Sequence, residues 1–152
     1  MDDPRIPESF EEAKKAGMEF SIQGISLQNA HPNSVKLEVT GISGRKLEVI
    51  GASIGGGRIR ISEIDGLTAN FSGEAPTLVV YNQDRPGCIV KVTSRLGEAG
   101  INIGTMQVYR DARGGQAVMV IEVDQEVPYA QIAELEKEDG IEKVIYLCLE
   151  ER

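Results

Sequence analysis

Three consecutive glycines, Gly55 to Gly57, stand in the stretch GASIGGGRIRI with Ser53 before them and Arg58 and Arg60 after. Backbone N–H groups at such a bend can converge on an anion, and Ser53 with Arg58 would complete a small-anion site formed by Ser53, Gly55, Gly56, Gly57 and Arg58. A phosphate loop of the P-loop kind needs Gly-Lys-Ser/Thr leading into a helix, and a dinucleotide fingerprint also opens a helix. Here RIRISEI alternates as a strand. Both phosphate motifs are therefore excluded, and the other reading of the glycines is a bend between two strands.

The remaining reactive side chains are few. Cys88 and Cys148 form no CxxC pair, and two thiols cannot supply the four ligands of an iron–sulfur cluster. Any such cluster would have to come from another chain. His31 is the lone histidine, beside Pro32-Asn33; it reads as a turn residue, and no His/Cys cluster offers it partners for a metal.

Composition narrows the classes further. The chain has 152 residues, 41 % of them hydrophobic, and a formal net charge of −8. That is enough apolar content for packed cores, and an acidic surface disfavours nucleic acid. No apolar run approaches the roughly 20 residues that cross a bilayer. No charged-then-apolar leader opens the sequence. The expectation is a cytoplasmic chain with no membrane partner.

The first half reads as mainly β. Pro7 and Gly17 bracket a short helix whose buried pair would be Phe10 and Ala13. Strand-like runs follow at Met18–Gln23, Ser34–Val39, Lys46–Ser53, Arg58–Ile64 and Leu67–Phe71. Val35, Leu37 and Val39 alternate with Lys36 and Glu38, as in a half-buried strand. GISGR and IDGL are hairpin turns, Asp65-Gly66 the sharper. The polar break SGEAP, residues 72–76, marks a boundary between a domain over 1–73 and another over 77–149.

The second half alternates strand and helix. Thr77–Tyr81 is a strand and NQDRPG a turn. Ile89, Val92, Leu96 and Ala99 then form a helical stripe opposite Lys91, Arg95 and Glu98, and Gly100 closes the helix. Gly104–Arg110 and Gln116–Val123 form a hairpin across DARGG. A helix from Pro128 to Gly140 carries Ile132 and Leu135, and Ile141–Leu149 is the last strand. The order βαββαβ is ferredoxin-like, so the fold class is α+β. An RNA-recognition module would stack bases on aromatics of its central strands, and Gln116–Val123 has none.

Asp84-Arg85-Pro86-Gly87 after the first strand and AGINI after the first helix resemble the ACT domain, a small module that senses amino acids. The resemblance implies a side-by-side homodimer with an amino acid at the interface, and it places the ligand-binding positions at Asn82, Asp84, Arg85, Gly87 and Asn102. The N-terminus of the following helix suits a carboxylate, and Asp84 suits an ammonium group. Asn82 and Asp84 could equally shape the turn or cap the helix, and Asn102 could sit in a turn.

GASIGGGRIRI with its IDG turn looks like the anion-binding β domain that precedes an ACT domain in two bacterial enzymes. These are the iron–sulfur L-serine dehydratase and the long form of D-3-phosphoglycerate dehydrogenase. DDPRIPESFEEAKKAG and AHPNS resemble the β chain of the two-subunit L-serine dehydratase. That β chain begins upstream with a serine-rich segment, so the resemblance implies a C-terminal portion here. It also implies conversion of L-serine to pyruvate and ammonia on a 4Fe–4S cluster held by a partner α chain. This chain would then hold no cofactor and act in regulation and assembly, inactive alone. The alternatives are the tail of a phosphoglycerate dehydrogenase, or an ACT module kept only for dimerisation.

Overall fold

Pro7 lies in the first turn of a short 3-10 segment, Ile6–Glu8, which continues into α1, Ser9–Lys15. Gly17, at φ +75°, follows the helix end. The computed structural model describes residues 4–148. Within them the chain up to His31 forms one compact unit and the chain from Pro32 a second. In the first unit the expected strand at 18–23 is absent. A strand needs a ladder partner for its N–H and C=O groups, and no sheet includes this segment. The expected burial of Phe10 also fails: its ring is 53 % exposed and stacks on Phe20 with centroids 5.2 Å apart.

The second unit begins with a meander. Strands β1 (Ser34–Thr40), β2 (Lys46–Gly55), β3 (Arg58–Ile64) and β4 (Leu67–Phe71) form an antiparallel sheet in chain order. Asp65 (φ +48°) and Gly66 (φ +78°) turn β3 into β4; positive φ at both central residues matches the twist of a tight hairpin. Residues 72–76 carry the chain to the second sheet.

That sheet contains β5 (Thr77–Gln83), β6 (Ile103–Arg110), β7 (Gln116–Val123) and β8 (Ile141–Leu147), with α2 (Cys88–Glu98) and α3 (Tyr129–Leu135). Its order is β6-β7-β5-β8 with every pair antiparallel, which is the expected ferredoxin-like arrangement. Helix α2 closes in a Schellman motif: Ile101 N–H reaches Leu96 O and Gly100 N–H reaches Gly97 O.

Several element bounds shift. Strand β5 extends to Gln83, and β2 to Gly55. Helix α3 ends at Leu135, short of Gly140. There Lys137 N–H bonds Glu134 O and Glu138 N–H bonds Leu135 O, three residues back, so the last turn tightens. The expected end of the last strand, at Leu149, lies outside the described residues. On α2 the buried row is Cys88, Val92 and Leu96, while Ile89 and Ala99 are exposed. Residues four apart stack on one helical face, and here that face meets Leu78, Val80, Met119 and Ile121.

Both faces of the second sheet are covered. One carries α2 and α3 over Leu78, Val80, Met119 and Ile121. On the other, Val79, Tyr81, Val118 and Val120 pack against Ile64, Ala69 and Phe71 of the meander. A large side chain between two sheets leaves a cavity when truncated. Phe71→Ala should therefore lower the unfolding free energy by about 3–5 kcal/mol, read from the midpoint of a urea titration with an unchanged slope.

Candidate functional site

The triple glycine forms the β2–β3 hairpin. Gly55 pairs with Arg58, Gly56 and Gly57 make the turn, and all three have positive φ, +88°, +64° and +74°. L-residues rarely adopt such angles, so the glycines meet a backbone requirement. Ser53 pairs with Ile59 beside a register shift at Ser53/Gly55, and Ser53 through Arg60 are exposed. No side-chain hydrogen bond or ion pair occupies Arg58 or Arg60 among the described residues. His31 sits just before the turn at Pro32-Asn33, as its neighbours suggested.

The loop after β5 is built differently. Leu78 and Val80 face the helices and Val79 and Tyr81 face the meander; alternation therefore puts Asn82 on the helix side. Asn82 is 3 % exposed. Its Nδ2 donates to Gln83 O at 2.7 Å, but its Oδ1 receives no donor. A buried acceptor without a donor costs free energy and calls for an explanation. Gly87 (φ +96°) precedes the first turn of α2, whose leading N–H groups lack helical acceptors.

Asp84 is partly engaged. Its Oδ2 accepts from Gly114 N–H at 2.9 Å and from Arg110 Nη1 at 3.0 Å. These two bonds, the backbone one foremost, hold its carboxyl below the usual range. Arg85 pairs with the Asp139 carboxylate. Gly140 permits this approach: a Cβ there would lie 2.7 Å from the Arg85 guanidinium and 2.9 Å from Cys88 Sγ. Lys91 adds a bond to Asp139 O at 2.7 Å, and Arg95 pairs with Glu138 at 2.8 Å.

Asn102 lies elsewhere. Its Nδ2 donates to Asp124 Oδ2 at 2.6 Å and its N–H to Gln125 Oε1 at 2.7 Å. Asn82 pairs with Ala117, whereas Ile103, next to Asn102, pairs with Val123. Six residues of strand separate those levels, about 20 Å at ~3.3 Å per residue. The structure thus groups Asn82, Asp84, Arg85 and Gly87 at one end of the sheet and puts Asn102 at the other.

One polar cluster was not singled out from sequence. Asp65 Oδ1 accepts from Glu48 N–H at 2.8 Å, and Oδ2 accepts from Tyr81 OH at 3.0 Å and Lys143 Nζ at 2.8 Å. Lys143 also stands over the Tyr81 ring, 4.9 Å from its centroid. Burial and the neighbouring carboxylate push the Tyr81 hydroxyl well above its ordinary range. The sequence signal was present in the Asp-Gly turn, but its partners come from β5 and β8. Arg45 Nη2 donating to Val144 O and Gln107 Nε2 donating to Asn70 O, at 2.8 and 2.9 Å, add further bonds between the sheets.

Among the described residues no group of three or more His, Cys, Asp or Glu could hold a metal ion. Cys88 is buried and Cys148 half-buried. Two cysteines are fewer than the four ligands that a 4Fe–4S cluster takes. No helix among the described residues is long and apolar enough to cross a membrane.

A four-stranded antiparallel sheet with two helices on one face defines a ferredoxin-like α+β module. The family model of the ACT domain matches residues 77–140, and this part of the chain is an ACT domain. The similarity to L-serine dehydratase β chains covers most of the chain. It is 35 % identical over 142 residues to the probable L-serine dehydratase β chain of Bacillus subtilis, covering 93 % of this chain and 64 % of that one. It is 36 % identical over 124 residues to the L-serine dehydratase β chain of Peptoniphilus asaccharolyticus, covering 81 % and 56 %. D-3-phosphoglycerate dehydrogenase of Methanocaldococcus jannaschii is 30 % identical over 128 residues, covering 84 % of this chain and 24 % of that one. The chain thus spans less than two thirds of each of these relatives.

Burial alone would raise the Asp65 carboxyl, but Lys143, the Glu48 N–H and Tyr81 OH outweigh it and leave it lowered. A depressed acid contributes stability that is full above its unfolded pKa of about 4 and is lost as pH falls through the lower folded value. Asp65→Asn keeps a residue tolerant of positive φ. It should lower stability at pH 7 and flatten the acid limb of a stability–pH curve below about pH 4, measured by urea unfolding.

Proposed function

We propose that this chain is the regulatory and assembly portion of an L-serine dehydratase, sensing L-serine or another small amino acid through its ACT domain. The observation that carries the sensing role is the buried, unpartnered Oδ1 of Asn82 beside the start of α2. An α-ammonium group would supply the missing donor, and the leading N–H groups of α2 would take the α-carboxylate. Asp84 has its Oδ1 left for the same ammonium group, while its Oδ2 anchors the loop to the β6–β7 turn.

Asn102 stands too far from Asn82 to share a ligand within one chain. In a side-by-side homodimer the second copy would supply it. The β domain, with Ser53, Gly55, Gly56, Gly57 and Arg58 at an exposed turn, is the candidate for a small anion or a carboxylate of a partner. The catalytic partner would be an α chain carrying the 4Fe–4S cluster, in the cytoplasm, and the chain described here would have no activity alone. Coupling of about 1–3 kcal/mol between ligand and assembly would suffice for regulation.

The similarity to D-3-phosphoglycerate dehydrogenases favours a second reading, a regulatory tail of such an enzyme. A nicotinamide-binding domain in the same polypeptide would establish it.

Calorimetric titration with L-serine, with D-serine and glycine as controls, should show stereoselective binding. Asn82→Leu should weaken it at least tenfold, and Asp84→Ala should do so with the dimer intact. No heat in the unsubstituted dimer would leave the ACT domain a dimerisation element.

A further inference from the structure

Val35, Leu37 and Val39 of β1 were expected to lie on a half-buried face, yet they are 56, 52 and 51 % exposed. Their face is the apolar one. Leu37 pairs with Val49 and Val39 with Leu47, and Leu47 and Val49 pack against the core between the sheets. Strand β1 therefore carries the inner face of the meander past the edge of what covers it. It is also an edge strand, with no bulge in its pairing to β2 and no proline. Edges of that kind usually invite pairing unless something blocks them.

The backbone specifies which groups are open. Asn33 O accepts from Ser53 N–H, and Gly41 N–H donates to Arg45 O. Both pairs are in register with β1 and β2, so the odd residues spend their hydrogen bonds on β2. The N–H and C=O groups of Ser34, Lys36, Glu38 and Thr40 consequently point to the open edge.

We infer that β1 is an interface for a second copy of this chain, pairing antiparallel with the same strand about a two-fold axis at Leu37. In that register Lys36 lies opposite Glu38 of the partner subunit, and Glu38 opposite Lys36 of the partner subunit. Val35 meets Val39 of the partner subunit, the two Leu37 residues meet, and Ser34 meets Thr40 of the partner subunit. The open even residues form the hydrogen-bonded pairs. The apolar odd residues form the pairs without hydrogen bonds, where side chains approach most closely. Sliding by two residues in one direction puts Lys36 opposite itself, and in the other Glu38 opposite itself; like charges directly opposed are unfavourable. A slide by one turns apolar residues against the polar face. Glu38, 72 % exposed, has room for this partner, although Lys36 already contacts it and Glu48 within the chain at 3.1 and 2.9 Å. The interface is separate from an ACT-to-ACT contact, since it uses the other sheet.

Register-specific crosslinking tests it, with Cys148→Ser in every variant. At the axis the two Leu37 Cα atoms would be about 4.5 Å apart, within disulfide range. Leu37→Cys should give a disulfide-linked dimer on mild oxidation. Val35→Cys alone should not, because its two copies lie about 13 Å apart, but mixed with Val39→Cys it should. Circular dichroism of each variant verifies folding, which half-exposed positions should permit. As a second measure, Glu38→Lys and Lys36→Glu should each lose the association in light scattering, and their mixture should regain it. A Leu37→Cys chain that is folded and stays uncrosslinked overturns the inference. Equal crosslinking of Val35→Cys alone also overturns it.

Discussion

Strand β5 is buried from both sides, and the rest of the second unit follows from that constraint. Leu78, Val79 and Val80 have no exposed surface. A strand with both faces covered must be apolar at consecutive positions, and TLVVY satisfies this. Its even apolar residues require the two helices, and its odd ones require the meander. The meander alone is a single sheet with one apolar face. Its Ile64, Ala69 and Phe71 find cover against the second sheet, through Val79 and Tyr81 of β5, Val118 and Val120 of β7, Tyr109 of β6 and Ile145 and Leu147 of β8.

The same alternation sends two neighbouring residues to different tasks. Tyr81 points into the contact between the sheets and donates a hydrogen bond from its hydroxyl to Asp65. Asn82 points to the helix side, where its carbonyl oxygen waits without a donor. One strand thus holds the joint between the sheets and the candidate ligand site within a single residue step. The anchoring of Asp84 to Arg110 and Gly114 ties the loop to β6 and β7 as well.

The glycine triplet illustrates how one motif can serve the fold first. Three successive positive φ angles are needed for a tight bend between β2 and β3, so the glycines are explained by geometry whether or not an anion visits the turn. Gly140 answers a different need, since a Cβ there would crowd both the Arg85 guanidinium and Cys88 Sγ.

Much of this was legible in the amino-acid order. The strand over Val35–Val39, the Asp65-Gly66 turn, the Gly100 helix stop and the βαββαβ succession all depend on neighbours within a few residues, and each appears in the structure, although the expected half-burial of Val35, Leu37 and Val39 does not. The exposed Phe10, the absent strand at 18–23 and the shifted face of α2 were not legible, because burial and pairing depend on what the rest of the chain places alongside. Local periodicity says that a segment has an apolar face without saying what covers it. That is why Leu37 and Phe71, both apolar strand residues, end so differently, one half in water and one between sheets. The same distinction holds at the site. Adjacency in the chain already keeps Asn82, Asp84, Arg85 and Gly87 in one loop. Tertiary structure decided that Asn102 lies at the far end of the sheet and that Asp65 meets Tyr81 and Lys143, because strand register alone sets which distant residues share a level.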